Sequence, residues 1–314
     1  MTNPDPIRIG LNLPTWPQMD GGYATWPEMR ALARDMEALG VDTLWVPDHL
    51  QRSLPGRPLI GFWECWTILT AAAEATSRIE IGPFVACTGF RNPALLAKMA
   101  DTLDEVSGGR VVLGLGSGVP ARDDSWRAFG FPAERHVGRY AESVEVTARM
   151  LRGPALSFEG AHVRTDGAVI APRGPRPNGL PVWVAALGDR TAEVAARWGD
   201  AANVNTALCA TADVTAIRAT MARACDAVGR DPATLAITGW SRLSLAGDST
   251  AVRREGCLAG SPAEIGAQVR AFRDAGLSHL TFFVGAAGDP SPLPALTAET
   301  LGRFAPVLEA IRAG

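Results

Sequence analysis

Residues 92–118 read NPALLAKMADTLDEVSGGRVVLGLGSG. Asn92 offers a side-chain acceptor to the unpaired amides of a helix start. Pro93 takes the first helical position, where its missing N–H costs nothing. Apolar side chains then recur at helical spacing to about Val106. Gly108-Gly109 stops the helix, because glycine enters the left-handed conformation without a Cβ clash. Arg110 to Leu115 is a short, nearly continuous apolar run, the pattern of a strand buried on both faces. From Gly116 the chain enters a glycine-rich loop. Helix, tight turn, buried strand and loop together form the repeating unit of a parallel α/β fold.

The unit recurs in both directions. Upstream, strands are expected at Ile7 to Leu13, Thr43 to Val46 and Ile79 to Val85. Helices are expected at Trp26 to Leu39, where Thr25 and Glu28 form a capping box and Gly40 the stop, and at Trp63 to Thr76. Downstream, a loop from Gly116 to Pro132 leads to a helix at Glu134 to Leu151. Strands follow at Pro181 to Ala186, Ala201 to Val204, Leu235 to Leu243 and His279 to Val284. Helices are expected at Thr191 to Trp198, Ala212 to Val228, from Ser261-Pro262 with Glu264 to Gly276, and at Ala298 to Ile311. Eight alternations predict a closed (β/α)8 TIM barrel, with an open doubly wound sheet as the structural alternative. The chain reads as one domain, 1–314, with insertions at the C-terminal mouth near 49–62, 116–132 and 153–180. The last is rich in proline and glycine, with a hairpin expected at Ser157-Phe158-Glu159-Gly160.

Composition narrows the function. The chain has 314 residues, 47% of them apolar, and a net charge of −3. A nucleic-acid binder would show a basic excess or stripe. Of the 30 basic side chains only Lys98 is a lysine, which reads as the codon bias of a GC-rich genome. Cys65, Cys87, Cys209, Cys225 and Cys257 form no C-x-x-C pair, as expected of reduced thiols in a cytoplasmic protein. No stretch approaches the ~20 unbroken apolar residues of a membrane span. His49, His136, His162 and His279 are scattered outside any helical metal motif, so no metal site is expected.

In a barrel, chemistry sits where strands run into loops. After the second strand come Asp48 and His49. Imidazole moves protons near neutral pH, and a carboxylate can orient it; a structural loop histidine is an even alternative. Neighbours on an extended segment can also point apart, so Asp48 could face a cofactor instead. After the third strand come Phe84, Val85 and Thr88. After the fourth come Gly116, Ser117 and Gly118, whose glycines let backbone approach a planar ring or phosphate. Val119 breaks the G-x-G-x-x-G pattern, which disfavours a nicotinamide dinucleotide fold. After the fifth come Ala185, Ala186, Leu187 and Gly188, small residues opening a helix, where a phosphate can meet backbone amides. Trp16, Trp45, Trp63, Trp66 and Trp126 lie near strand ends and could wall an apolar pocket.

Three blocks carry a family resemblance: Arg91 to Lys98, Thr102-Leu103-Asp104, and Ser107 to Arg110 with Leu113 to Gly118. Arg127 to Gly130, Arg139 to Glu142, Asp48-His49 and the segment after the fifth strand extend it over nearly the whole chain. Together they resemble the luciferase-like monooxygenase superfamily, a (β/α)8 fold that uses FMN or the deazaflavin coenzyme F-420. The resemblance implies that Asp48 and His49 lie beside the ring system. It implies a non-proline cis peptide joining Phe84 and Val85 under the ring, and Ala185 to Gly188 at the phosphate. Departures from that pattern disfavour a sugar-phosphate substrate. Val119 stands where some deazaflavin sugar-phosphate dehydrogenases carry a glutamate acid. The lysines that bind their substrate phosphate are absent. Ser53 lies near the place of a tryptophan that follows the Asp-His pair in that subgroup.

The expectation is therefore an F-420-dependent oxidoreductase moving a hydride to or from a small organic molecule. His49 would be the proton donor or acceptor and Asp48 its partner. An FMN-dependent monooxygenase and a non-catalytic flavin-binding barrel stay open as alternatives. Neither nucleic acid nor membrane is expected as a partner, and a homodimer is left open.

Overall fold

The computed structural model describes residues 5–18, 21–53, 59–208, 210–245, 257–284 and 296–313. Its central sheet is parallel and returns on itself. The barrel strands in chain order are Arg8–Asn12, Thr43–Val46, Glu80–Pro83 continued by Ala86–Cys87, Leu113–Gly116, Val182–Ala186, Ala201–Ala207, Ala236–Leu245 and His279–Val284. Each pairs with its neighbour in the ring. The eighth strand lies between the first and the seventh, and the third between the second and the fourth. The ring closes through the two pieces of the third strand. Ala86 and Cys87 pair with Leu115 and Gly116, and Ile81 bridges to Val111. The closed (β/α)8 expectation stands, and the open sheet is excluded.

The helix ends follow from the capping residues. Thr25 donates its hydroxyl to Glu28 at 2.7 Å, and Asn92 accepts from the amides of Ala94 and Leu95. Ser261 and Glu264 close the third cap. Gly40 and Gly108 are left-handed at the helix C-termini. Inside the barrel, large and small residues interlock. A Cβ on Gly10 would lie 2.2 Å from Nε1 of Trp45, and one on Gly82 would lie 2.8 Å from its ring. Trp45 fills the space these glycines leave, packed against Trp183 at 5.0 Å and beside His279. Burial lowers the His279 pKa to about 3, so this imidazole is a neutral plug hydrogen-bonded to Thr43.

Several elements differ from expectation. The third strand breaks at the Phe84–Val85 peptide, which is cis as the resemblance implied. The sixth and seventh strands run further than the apolar pattern suggested, to Ala207 and Leu245. A short helix, Ser125–Ala128, and two sheet pieces were not foreseen. Gln51–Arg52 pairs antiparallel with Ile60–Gly61, and Cys257–Gly260 extends the sheet beside the seventh strand. The hairpin is real, with strands Ala155–Glu159 and Arg164–Val169, but its turn lies at Gly160 to Val163. There the Glu142 carboxylate accepts the amides of Ala161, His162 and Val163, which fixes the turn three residues later than expected. No helix among the described residues is long and apolar enough to cross a membrane.

Candidate active site at the C-terminal mouth

A cavity of about 440 Å³ opens at the C-terminal ends of the strands. It gathers residues from the second to fifth strands' C-terminal ends, the break in the third strand and the loops that follow: Asp48, His49, Phe84, Val85, Gly116, Ser117, Gly118, Ala185 and Leu187. Thr88, Ala186 and Gly188 do not line it. Thr88 is buried and donates its hydroxyl to the Gly116 carbonyl, so it ties the third strand to the fourth. Ala186 points into the packing between barrel and helices, as alternation along a strand requires. Gly188 caps the helix Asp189–Trp198. The amides of Leu187 and Gly188 already donate to Thr191 Oγ1, at 2.8 and 3.0 Å.

Asp48 is not the partner of His49. Its carboxylate turns away and is fully buried. It accepts the Cys87 amide at 2.8 Å and two hydrogen bonds from the Arg91 guanidinium, at 2.6 and 3.1 Å. Arg91 also reaches Glu64 and lies over the Trp66 ring. Burial raises the Asp48 carboxyl above its ordinary value, against the lowering pull of Arg91. The two-pronged contact is the geometry of an ionised carboxylate on a guanidinium. Asp48 therefore braces the loops after the second and third strands and holds the backbone just beyond the cis peptide.

His49 faces the other way, with about a third of its side chain exposed. Its Nδ1 lies 2.7 Å from Asp123 Oδ2. A carboxylate only accepts, so Nδ1 donates this bond, and in the neutral ring Nε2 is the acceptor. Asp123 is itself fixed, accepting the Ser125 amide at 2.9 Å. Burial pushes its carboxyl up, but the bonds from His49 and Ser125 outweigh this and its pKa is lowered. Ser125 Oγ also bonds the amides of Leu50 and Gln51 and the Gln51 carbonyl. His49 to Gln51 and Asp123 to Ser125 thus clasp one another and share the task of holding one imidazole.

Asp123 and Arg91 were the residues missed. Asp123 lies 74 positions from His49, and nothing local marks it. Arg91 was in the quoted family block but had no assigned role. Other lining residues not foreseen are Arg52, Arg122, Asn203, Trp240, Arg242 and Phe283. The five tryptophans named from sequence do not line the cavity. Trp45 fills the barrel, Trp66 backs Arg91, Trp126 packs on Cys87 and Phe90, Trp63 meets Tyr23, and Trp16 stands behind Phe283. Cys87 does line the cavity, but burial pushes its thiol up, which disfavours the nucleophilic thiolate.

Among the described residues there is no group of three or more His, Cys, Asp or Glu side chains able to hold a metal ion.

Comparison with known proteins places this geometry in context. The F-420-dependent glucose-6-phosphate dehydrogenase of Intrasporangium calvum is 36% identical over 171 residues, 52% of this chain and 49% of that protein. The 5,10-methylenetetrahydromethanopterin reductase of Archaeoglobus fulgidus is 29% identical over 178 residues, 57% of this chain and 49% of its own length. The F-420-dependent hydroxymycolic acid dehydrogenase of Mycobacterium tuberculosis is 32% identical over 214 residues, 65% of this chain and 55% of that one. The chain thus spans about half the length of the curated relatives it matches. In fold it is similar to an F-420-dependent secondary alcohol dehydrogenase, with a TM-score of 0.78 and 17% identity over 98% of this chain and 99% of the other. A monooxygenase from Streptomyces bottropensis gives a TM-score of 0.76 at 22% identity over 96% and 99%. These likenesses show the barrel fold. The model of the luciferase-like monooxygenase family matches residues 7–255, and the chain belongs to that family.

Proposed function

We propose that the chain is an F-420-dependent oxidoreductase that moves a hydride between the deazaflavin and a small organic substrate. The carrying observation is His49, pinned through Nδ1 by Asp123 at the edge of a cavity walled elsewhere by Val85, Gly116, Gly118 and Ala185. That wall fits a planar ring. A Cβ on Gly116 would come within 2.4 Å of the Val85 side chain, so the surface there is bare backbone and one stiff methyl pair. Arg122 at the same cavity suits an anionic group of the cofactor. Relatives named for F-420 support this choice over FMN.

When bound, F-420 supplies the ring that carries the hydride. His49 Nε2 gives or takes the accompanying proton, and Asp123 fixes the ring orientation and tautomer that make this possible. Asp48 and Arg91 act at one remove, by fixing the backbone after the cis peptide. The chain 1–314 works as one domain in this reading.

Isothermal titration with F-420 and with FMN tests the assignment. F-420 should bind, and FMN should bind at least about tenfold more weakly, a difference of about 1.4 kcal/mol. Tight FMN binding without an F-420 signal would move the chain to the FMN-dependent monooxygenase reading.

A further inference from the structure

The other side of the cavity carries a different chemistry that the cofactor reading does not use. Phe283 and Trp240 line this side, and Trp16 and Phe62 pack behind them toward His49. His49 lies 5.2 Å from Phe62, Phe62 6.4 Å from Trp16, Trp16 6.4 Å from Phe283, and Phe283 5.4 Å from Trp240. An arginine brackets this wall at each end. Arg52 is three residues past His49 on the short Gln51–Arg52 strand and lines the cavity. Its Nε is buried without a hydrogen-bond partner, and among the described residues it has no ion pair. Arg242 lies two residues past Trp240 on the same strand, so both project to the same face, and it pairs in register with Phe283.

The negative charges that line the cavity are committed elsewhere. Asp48 is held by Arg91, and Asp123 by His49 and Ser125. Arg52 and Arg242 place guanidinium groups at the cavity beside the rings of Trp240 and Phe283. Guanidinium binds carboxylate-type anions through two parallel hydrogen bonds, and stacked aromatic rings take a flat apolar body.

We infer that the substrate is an organic anion: a flat or apolar body carrying a carboxylate or a similar oxyanion. The aromatic wall takes the body, and Arg52 with Arg242 takes the charge. This rests on the oxidoreductase reading for the site's purpose, but its binding test stands apart from that reading.

The probes are 2-naphthoate and its neutral isostere 2-naphthamide, followed by tryptophan fluorescence in the full chain with F-420 affinity measured separately. Naphthoate should bind saturably and naphthamide at least about tenfold more weakly, the scale of a charge-assisted hydrogen bond. Arg52→Gln and Arg242→Gln should each weaken naphthoate by about tenfold and leave naphthamide and F-420 unchanged. Equal binding of both probes, or binding of neither, would overturn the inference, and this comparison needs only the unaltered protein. Loss of F-420 affinity in the arginine variants, with naphthoate unaffected, would also overturn it by assigning these side chains to the cofactor. Discrimination between the probes without F-420 binding would sink the cofactor assignment and leave the anion site standing.

Discussion

The two sides of the barrel mouth are made of different materials. Around the third, fourth and fifth strands the cavity meets the small residues Gly116, Ser117, Gly118 and Ala185 beside Val85, Phe84 and Leu187. Around the second, seventh and eighth strands it meets His49, Arg52, Trp240, Arg242 and Phe283, where large side chains form the surface. A wall of small residues is fixed by strand register and glycine placement and suits a constant, flat partner. A wall of side chains can differ between relatives without disturbing the barrel. On the proposed function, the cofactor belongs on the small-residue side and the substrate on the aromatic side, with His49 at the boundary.

The largest expected effect is at that boundary. His49→Ala should lower the single-turnover hydride-transfer rate by about 10²–10⁴-fold, the usual worth of general acid–base help, with F-420 affinity retained. His136→Ala is the control. His136 opens the helix His136–Arg152 and does not line the cavity, so its loss should change the rate little. If His49→Ala loses cofactor affinity and keeps its rate, His49 belongs to the cofactor side and the boundary is misplaced.

Next in size is the brace under both sides. Arg91→Ala leaves the Asp48 carboxylate buried and unpaired, which should cost about 3–5 kcal/mol of stability. Urea denaturation would measure this as a fall in midpoint. A loss below about 1 kcal/mol would mean the surrounding groups satisfy Asp48 without Arg91.

A smaller and more selective effect is expected at Gly116. An added methyl would collide with Val85 at 2.4 Å, and Val85 is β-branched and stiff. Overpacking of this kind costs about 1–3 kcal/mol. Gly116→Ala should therefore weaken F-420 about tenfold by titration while naphthoate binding on the aromatic side is kept. An equal loss of both ligands would dissolve the division.

The two sides also differed in how far they could be read from sequence. The small-residue side was legible because it is local. Glycines and alanines at strand ends announce close approach, and Val85, Gly116 to Gly118, Ala185 and Leu187 all reached the cavity. Thr88, Ala186 and Gly188 did not, because alternation along a strand and self-capping by Thr191 sent them elsewhere. The capping residues Thr25, Asn92 and Ser261 located helix starts for the same local reason. The aromatic side was not legible. Which of nine tryptophans faces the cavity depends on strand tilt and packing, and the five selected pack elsewhere while Trp240 lines it. The Asp48–His49 pair invited a partnership by adjacency. Extended backbone sends neighbours to opposite sides, so each found a distant partner, Arg91 and Asp123.

The division between the two sides is tested most directly by a crystal structure of the chain with F-420 bound. The deazaflavin ring is expected against Val85 and Gly116, with His49 Nε2 facing the space between the ring and the Phe283–Trp240 wall. A ring stacked instead on Trp240 and Phe283, with the Val85–Gly116 surface uncovered, would contradict it.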